Sequence, residues 1–192
     1  MDFSSALRPD VYRIVVTNLV PGFVGVAPWV AGYFWPALQD AGFWQESGVL
    51  IPVSITLAAI VLTAGLVFED IGSRVEIRWA DSWLNKKCPR LCRNWKTYLA
   101  QQRDESLIAQ GYLRAILLRF KFELSMIPAL VSFCIGVVAS ELNGNGFGAT
   151  PTAVVLLFVL ALLFMLLDEV RRGAVVLLRT RQIIVRANRR TR

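Results

Sequence analysis

The sequence predicts an all-α integral membrane protein. It reads as a four-helix bundle in the bilayer, with a cytoplasmic helical hairpin extension between helices 2 and 3 and an amphipathic C-terminal helix. Three observations predict this. First, 55% of the 192 residues are hydrophobic, and they gather in four charge-free runs, residues 14–38, 47–68, 124–140 and 142–167. These runs are 25, 22, 17 and 26 residues long, and about 17–25 residues of helix cross a bilayer core of about 30 Å. Second, the runs are continuous and do not alternate apolar with polar residues, which specifies helices and not barrel strands. Third, all 21 Lys and Arg lie before Ile14, between Phe68 and Leu124, or after Leu167, whereas the connections 39–46 and 140–150 hold only Asp40, Glu46 and Glu141.

That charge split sets the expected orientation. Basic residues stay on the cytoplasmic side. Both termini and the central segment are therefore expected inside, in a multi-pass protein of the cell inner (plasma) membrane. The net charge of +7 is first a topology signal and not evidence for nucleic-acid affinity. The chain reads as a single transmembrane domain with spans at about 14–38, 48–68, 124–140 and 151–167. A cytoplasmic helical insert occupies 69–123, and a basic tail 168–192.

Each element has its own local logic. Residues 1–12 form a short polar arm that carries Arg8 and Pro9, and Arg13 marks the inner edge of helix 1. The first run holds Asn18, Pro21, Gly22, Gly25, Pro28, Gly32 and Pro36. Each interior Pro removes a backbone hydrogen bond and kinks a helix, while the glycines permit close approach of a neighbour. Pro21, Gly22 and Pro28 are accordingly the candidates for a kinked, site-lining or pore-lining segment, with a helix kinked only for packing as the plainer reading. Tyr33, Phe34, Trp35, Phe43 and Trp44 make an outer aromatic belt.

The second run begins with Ser47 as expected N-cap and Pro52 near the first turn. Acids are unfavourable where a helix stops, because its C-terminal dipole is negative. Glu69 and Asp70 therefore predict that helix 2 continues, to about Leu84. A turn at 85–95 follows. Leu113, Ile116, Leu117, Phe120 and Leu124 then give helical spacing that feeds directly into the third span, where Pro128 kinks it. The two extensions form the hairpin, projecting up to about 40 Å if each arm has about 25 residues. Residues 141–148 are a tight outer loop. Thr150 and Pro151 read as cap and first helical residue of helix 4. The tail places Arg172, Arg179, Arg186 and Arg190 on one face, a pattern that binds anionic lipid headgroups.

The candidate chemistry is a charge cluster at the inner boundary: Glu69, Asp70, Arg74, Glu76, Glu123, Asp168 and Glu169. Convergent acids there bind a divalent ion or ring a cation pore. Acids paired with Arg74, Arg78, Arg119 and Arg172 do neither, and that pairing is the expected arrangement. No ionisable residue lies mid-span, which argues against a proton pump. There is no His, so the commonest general base and metal ligand is missing. Cys88 and Cys92 lack a partner pair and read as reduced cytoplasmic thiols. No catalytic residue, cofactor or metal site is assigned.

Lys86, Lys87, Arg90, Arg93, Trp95 and Lys96 mix bases with aromatics. The composition favours docking to lipid headgroups or a cytoplasmic protein over nucleic acid. The expected partners are thus anionic lipids, a cytoplasmic protein and further copies of the chain. Three functional classes follow: a membrane-embedded subunit or adaptor; a homo-oligomeric channel or permeabilising effector; and, ranked last, an enzyme acting on lipid phosphates.

Overall fold

The computed structural model describes residues 15–34, 36, 50–76, 78, 108–144, 146 and 148–190, without the side chains of 50, 108–114, 178, 181 and 184–190. All its regular structure is helical, and no strand occurs among the described residues. Four helices are long and apolar enough to cross a membrane, the make-up of a multi-pass membrane protein. We label them α1 (Val15–Phe34), α2 (Leu50–Val75), α3 (Ile108–Leu142) and α4 (Ala149–Arg190).

The prolines of α1 change its pitch. An α-helical centre, Val20–Trp29, is flanked by π-helical turns at Val15–Leu19 and Val30–Phe34. Pro21 has no N–H for the carbonyl four residues earlier, and a π turn, which bonds five residues on, is the wider alternative to a sharp kink. α2 continues past Glu69 and Asp70 through Val75, with Glu76 and Arg78 in further π turns. The expected extension to Leu84, the 85–95 turn and the rest of the hairpin lie outside the described residues. So do the N-terminal arm, Trp35, Phe43, Trp44, Ser47, Cys88 and Cys92.

The third and fourth helices both run on through their charged ends. α3 carries its charged segment and its apolar span on one 35-residue helix. It also takes in Glu141 and Leu142, beyond the end of the apolar run. α4 is 42 residues long and starts one residue before the expected cap. Its first bond runs from the Thr152 N–H to the Gly148 carbonyl at 3.1 Å. Pro151 still fits, because the first four N–H groups of a helix have no intrahelical acceptor. Gly144 (φ +75°) and Gly148 (φ +96°) supply the left-handed positions that turn the outer loop.

α3 is the hub. α1 packs on α2 and α3, α2 packs on α3, and α4 lies along α3 with at most slight contact to the others. Small residues set the closest crossings. A Cβ on Gly22 would fall 2.0 Å from the Val61 carbonyl oxygen, and one on Gly65 would fall 2.0 Å from that of Asn18. α1 and α2 thus touch backbone to backbone, as helices in lipid do where glycines face each other. Phe120, Leu124 and Val170 form the buried contact of α3 with α4, backed by Ile127 and Ala174. The outward faces of α2 and α4 are apolar: Ile51, Ile55, Leu66, Leu157, Phe158 and Phe164 are all well exposed. Contiguous apolar surface of this kind marks contact with lipid or protein.

Candidate functional site

The end of α2, the start of α3's apolar span and the end of α4's apolar span carry a belt of charges. On α2, Arg74 Nε donates to Asp70 Oδ2 at 2.8 Å, and on α4, Arg172 Nη2 donates to Asp168 Oδ2 at 2.6 Å. Both are i,i+4 pairs with the acid first, the better orientation on a helix. The α3–α4 contact is built differently. Arg119 Nε donates to Glu123 Oε1 at 2.9 Å, and its Nη2 reaches across to Glu169 of α4. The Glu123 side chain is only 7% exposed, whereas that of Arg119 is 67% exposed. One cation at the rim therefore holds a buried acid of its own helix and an acid of the next.

A second polar link joins α1 to α2. With its amide turned so that both ends are satisfied, the buried Asn18 donates through Nδ2 to Glu69 Oε2 at 2.8 Å and to Thr17 Oγ1 at 3.3 Å. Glu76 is half-buried and also engaged. The cluster singled out in the sequence is thus split among local partners: Asp70 with Arg74, Asp168 with Arg172, Glu123 and Glu169 with Arg119, and Glu69 with Asn18. Among the described residues, no three Asp, Glu or Cys side chains come together as metal ligands would.

Pro21, Gly22 and Pro28 are buried. Gly22 faces Val61 and Gly65 of α2, and Pro28 lies against Gly136 of α3, so these candidates face protein neighbours. The basic docking candidates Lys86, Lys87, Arg90, Arg93, Trp95 and Lys96 lie outside the described residues.

Two features escaped the sequence. In mid-span, Ser132 Oγ donates to the Gly25 carbonyl at 3.0 Å, and Trp29 Nε1 donates to Ser132 O at 3.3 Å. A Trp inside an apolar run was the signal for this, because its indole N–H needs an acceptor. At the opposite end of the bundle from the charge belt, Thr152 Oγ1 of α4 donates to Glu141 Oε2 of α3 at 2.9 Å, and Asn143 Nδ2 donates to the hydroxyl of Tyr33. Two open apolar grooves complete the surface. One, of about 450 Å³, lies between α1 and α2 along Phe23, Val30 and Leu57. The other, of about 430 Å³, lies between α2 and α3.

Fold and belt together define the class: a helical protein suited to pass a membrane several times, its charged helix ends held by arginine–carboxylate pairs, one of which joins α3 to α4. No family model, curated protein or solved structure matches the chain.

Proposed function

We propose that this protein is an adaptor subunit of the cell inner membrane. Its four helices cross the bilayer with both termini in the cytoplasm, and its basic insert and tail dock a cytoplasmic protein. One observation carries the reading. α4 runs unbroken for 42 residues, from the outer loop to Arg190. At 1.5 Å per residue that is about 63 Å, twice a bilayer core of about 30 Å. The 23 residues from Asp168 to Arg190 include seven arginines and extend the span as an arm of about 34 Å. A partner held on that arm is coupled rigidly to the membrane.

The exposed apolar faces of α2 and α4 support insertion, and the undivided distribution of all 21 Lys and Arg supports the orientation. The adaptor reading is favoured over the channel because the acids of the belt are held by Arg74, Arg119, Arg172 and Asn18, and both grooves are apolar. The test is a photo-crosslinking residue at Ile183, exposed on the arm, in intact cells. The expected result is a discrete protein adduct that disappears when Lys86–Trp95 is deleted. Adducts to lipid alone, or a partner retained after that deletion, would overturn the adaptor.

A further inference from the structure

We propose that the groove between α2 and α3 binds one anionic phospholipid of the cytoplasmic leaflet, with an acyl chain in the groove and the phosphate on Arg78 and Lys121. The groove is lined by Phe68, Ile71 and Val75 of α2, and by Leu124, Pro128 and Ile135 among others of α3. It is open at the surface, where Ile71, Val75, Val131 and Ile135 are exposed. From Leu124 to Ile135 it follows α3 for 11 residues, about 16 Å, which is the depth of one leaflet of a 30 Å core.

Its cytoplasmic end carries two cations. Lys121 lies seven residues before Pro128 and fourteen before Ile135, on the same face of α3 as the groove wall. Arg78 is exposed in the π turn just past Val75, three residues beyond the end of the groove wall on α2. The two come to similar depth. α2 and α3 meet where Gly72 faces Leu124, whose backbone would be 3.0 Å from a Cβ there. From that level Arg78 is six residues inward and Lys121 three, about 9 and 4.5 Å.

Among the described residues, no acid pairs with either cation. Arg74, the nearest other base on α2, is held by Asp70. Glu76 and Glu123 are each two residues from one of the cations and so face elsewhere on their helices. Glu123 is held by Arg119. An apolar slot one leaflet deep, closed at its inner end by an uncommitted guanidinium and ammonium, matches a phospholipid whose headgroup keeps a net negative charge. Arg supplies a planar fork to phosphate oxygens, and Lys a point charge.

This inference rests on the membrane orientation proposed above, so its test separates the two. Full-length protein in neutral detergent is titrated with phosphatidylglycerol, or with phosphatidylcholine of the same chains, and read by native mass spectrometry. The expected result is a discrete one-to-one adduct that prefers phosphatidylglycerol. Arg78→Gln with Lys121→Gln should weaken it about 10- to 30-fold, the weight of two basic side chains near a headgroup, and leave phosphatidylcholine unchanged. Val131→Trp, which fills the slot, should weaken both. Arg179→Gln with Arg186→Gln on the tail should leave the first adduct as it was. Affinity within twofold of wild type in the Arg78/Lys121 variant overturns the site, as does loss only in the tail variant or a second protein copy occupying the groove. Arg78 is exposed and Lys121 half-buried, neither lines the groove, and their changes decide the matter even if Val131→Trp fails to fold. Orientation is read separately by Gly144→Cys in a cysteine-free background. Labelling by a membrane-impermeant maleimide from outside is expected, and labelling only from the cytoplasm would overturn the membrane reading itself.

Discussion

Replacing Gly65 with Ala tests the packing logic most directly. The added methyl would sit 2.0 Å from the Asn18 carbonyl oxygen, 2.6 Å from its carbon and 3.0 Å from its Cα. All three are backbone atoms, so no side chain can swing aside. Ordinary contact begins at 3.4 Å, and α1 must therefore retreat by the difference of 3.4 and 2.0, about 1.4 Å. A gap of even 0.5–1 Å forfeits roughly a quarter to a half of each facing contact. The retreat also opens the reciprocal Gly22–Val61 contact and stretches the Asn18–Glu69 bond. Overpacking costs about 1–3 kcal/mol, and an interhelical hydrogen bond in lipid about 0.6 kcal/mol. The better helix propensity of Ala returns roughly 1 kcal/mol. The net expectation is a loss of about 2 kcal/mol, or roughly 4–8 °C in melting temperature for a chain of this size. Thermal unfolding of the purified protein in neutral detergent measures it. Gly173→Ala is the matched comparison. There the methyl would meet only side-chain atoms, the Phe120 ring at 3.3 Å and Glu123 Oε2 at 3.7 Å, and the ring gives by tenths of an ångström, so the expected change is neutral to slightly stabilising. A Gly65→Ala protein that melts with or above wild type would refute the backbone contact of α1 with α2.

The other expectations follow from single contacts. Arg119→Leu should lower the melting temperature, because it leaves the buried Glu123 without its cation and frees Glu169. Adding Glu123→Leu to it should recover part of the loss, since replacing a whole buried pair is milder than breaking it, and a double variant less stable than the single would contradict this. Ser132→Ala should cost about 0.6 kcal/mol, the average for such a bond in a membrane protein, because it removes the bond to the Gly25 carbonyl and leaves the backbone carbonyl that accepts from Trp29, so an unchanged melting temperature would count against the Ser132–Gly25 contact. Spin labels at Ala153 and Ile183, 30 residues apart on α4, should give a narrow distance distribution near 45 Å. Val176→Pro should broaden it, and a broad distribution in the unmodified helix would show that the arm is not continuous.

How much of this was legible in the sequence depended on which interaction set each feature. The four helices were legible, because desolvating charge is costly enough that the charge-free runs mark them. Continuity through the inner boundary was legible for α2 and α3 from Glu69, Asp70 and the Leu113–Leu124 spacing. The pairs Asp70–Arg74 and Asp168–Arg172 were legible because i,i+4 geometry is local. The bridge from Arg119 to Glu169, 50 residues apart, was not. It depends on which helices are neighbours, and α4 is apolar on every side through Val154–Leu167, so its sequence names no neighbour. The π turns of α1 were hidden for a different reason. A proline dictates that a bond is lost but not whether the helix bends or widens in answer.

The same contrast bears on the proposed arm. In lipid the apolar side chains of a helix gain little by choosing protein over acyl chains, so small residues and polar contacts decide where it sits. α1 and α2 have Gly22, Gly25, Gly65 and Gly72 at their crossings. α4 has Gly173 near the charged end of its span, the apolar contact of Val170 and Ala174 with Phe120 and Leu124, and a polar contact at each end of the span, Thr152 with Glu141 and Glu169 with Arg119. Among the described residues it packs mainly on α3. A helix packed along one main neighbour, and continuing for about 34 Å from Asp168, suits the proposed arm. On that reading, a partner pulling on the arm would strain the Arg119–Glu169 link, where the buried Glu123 makes any change of partner for Arg119 costly.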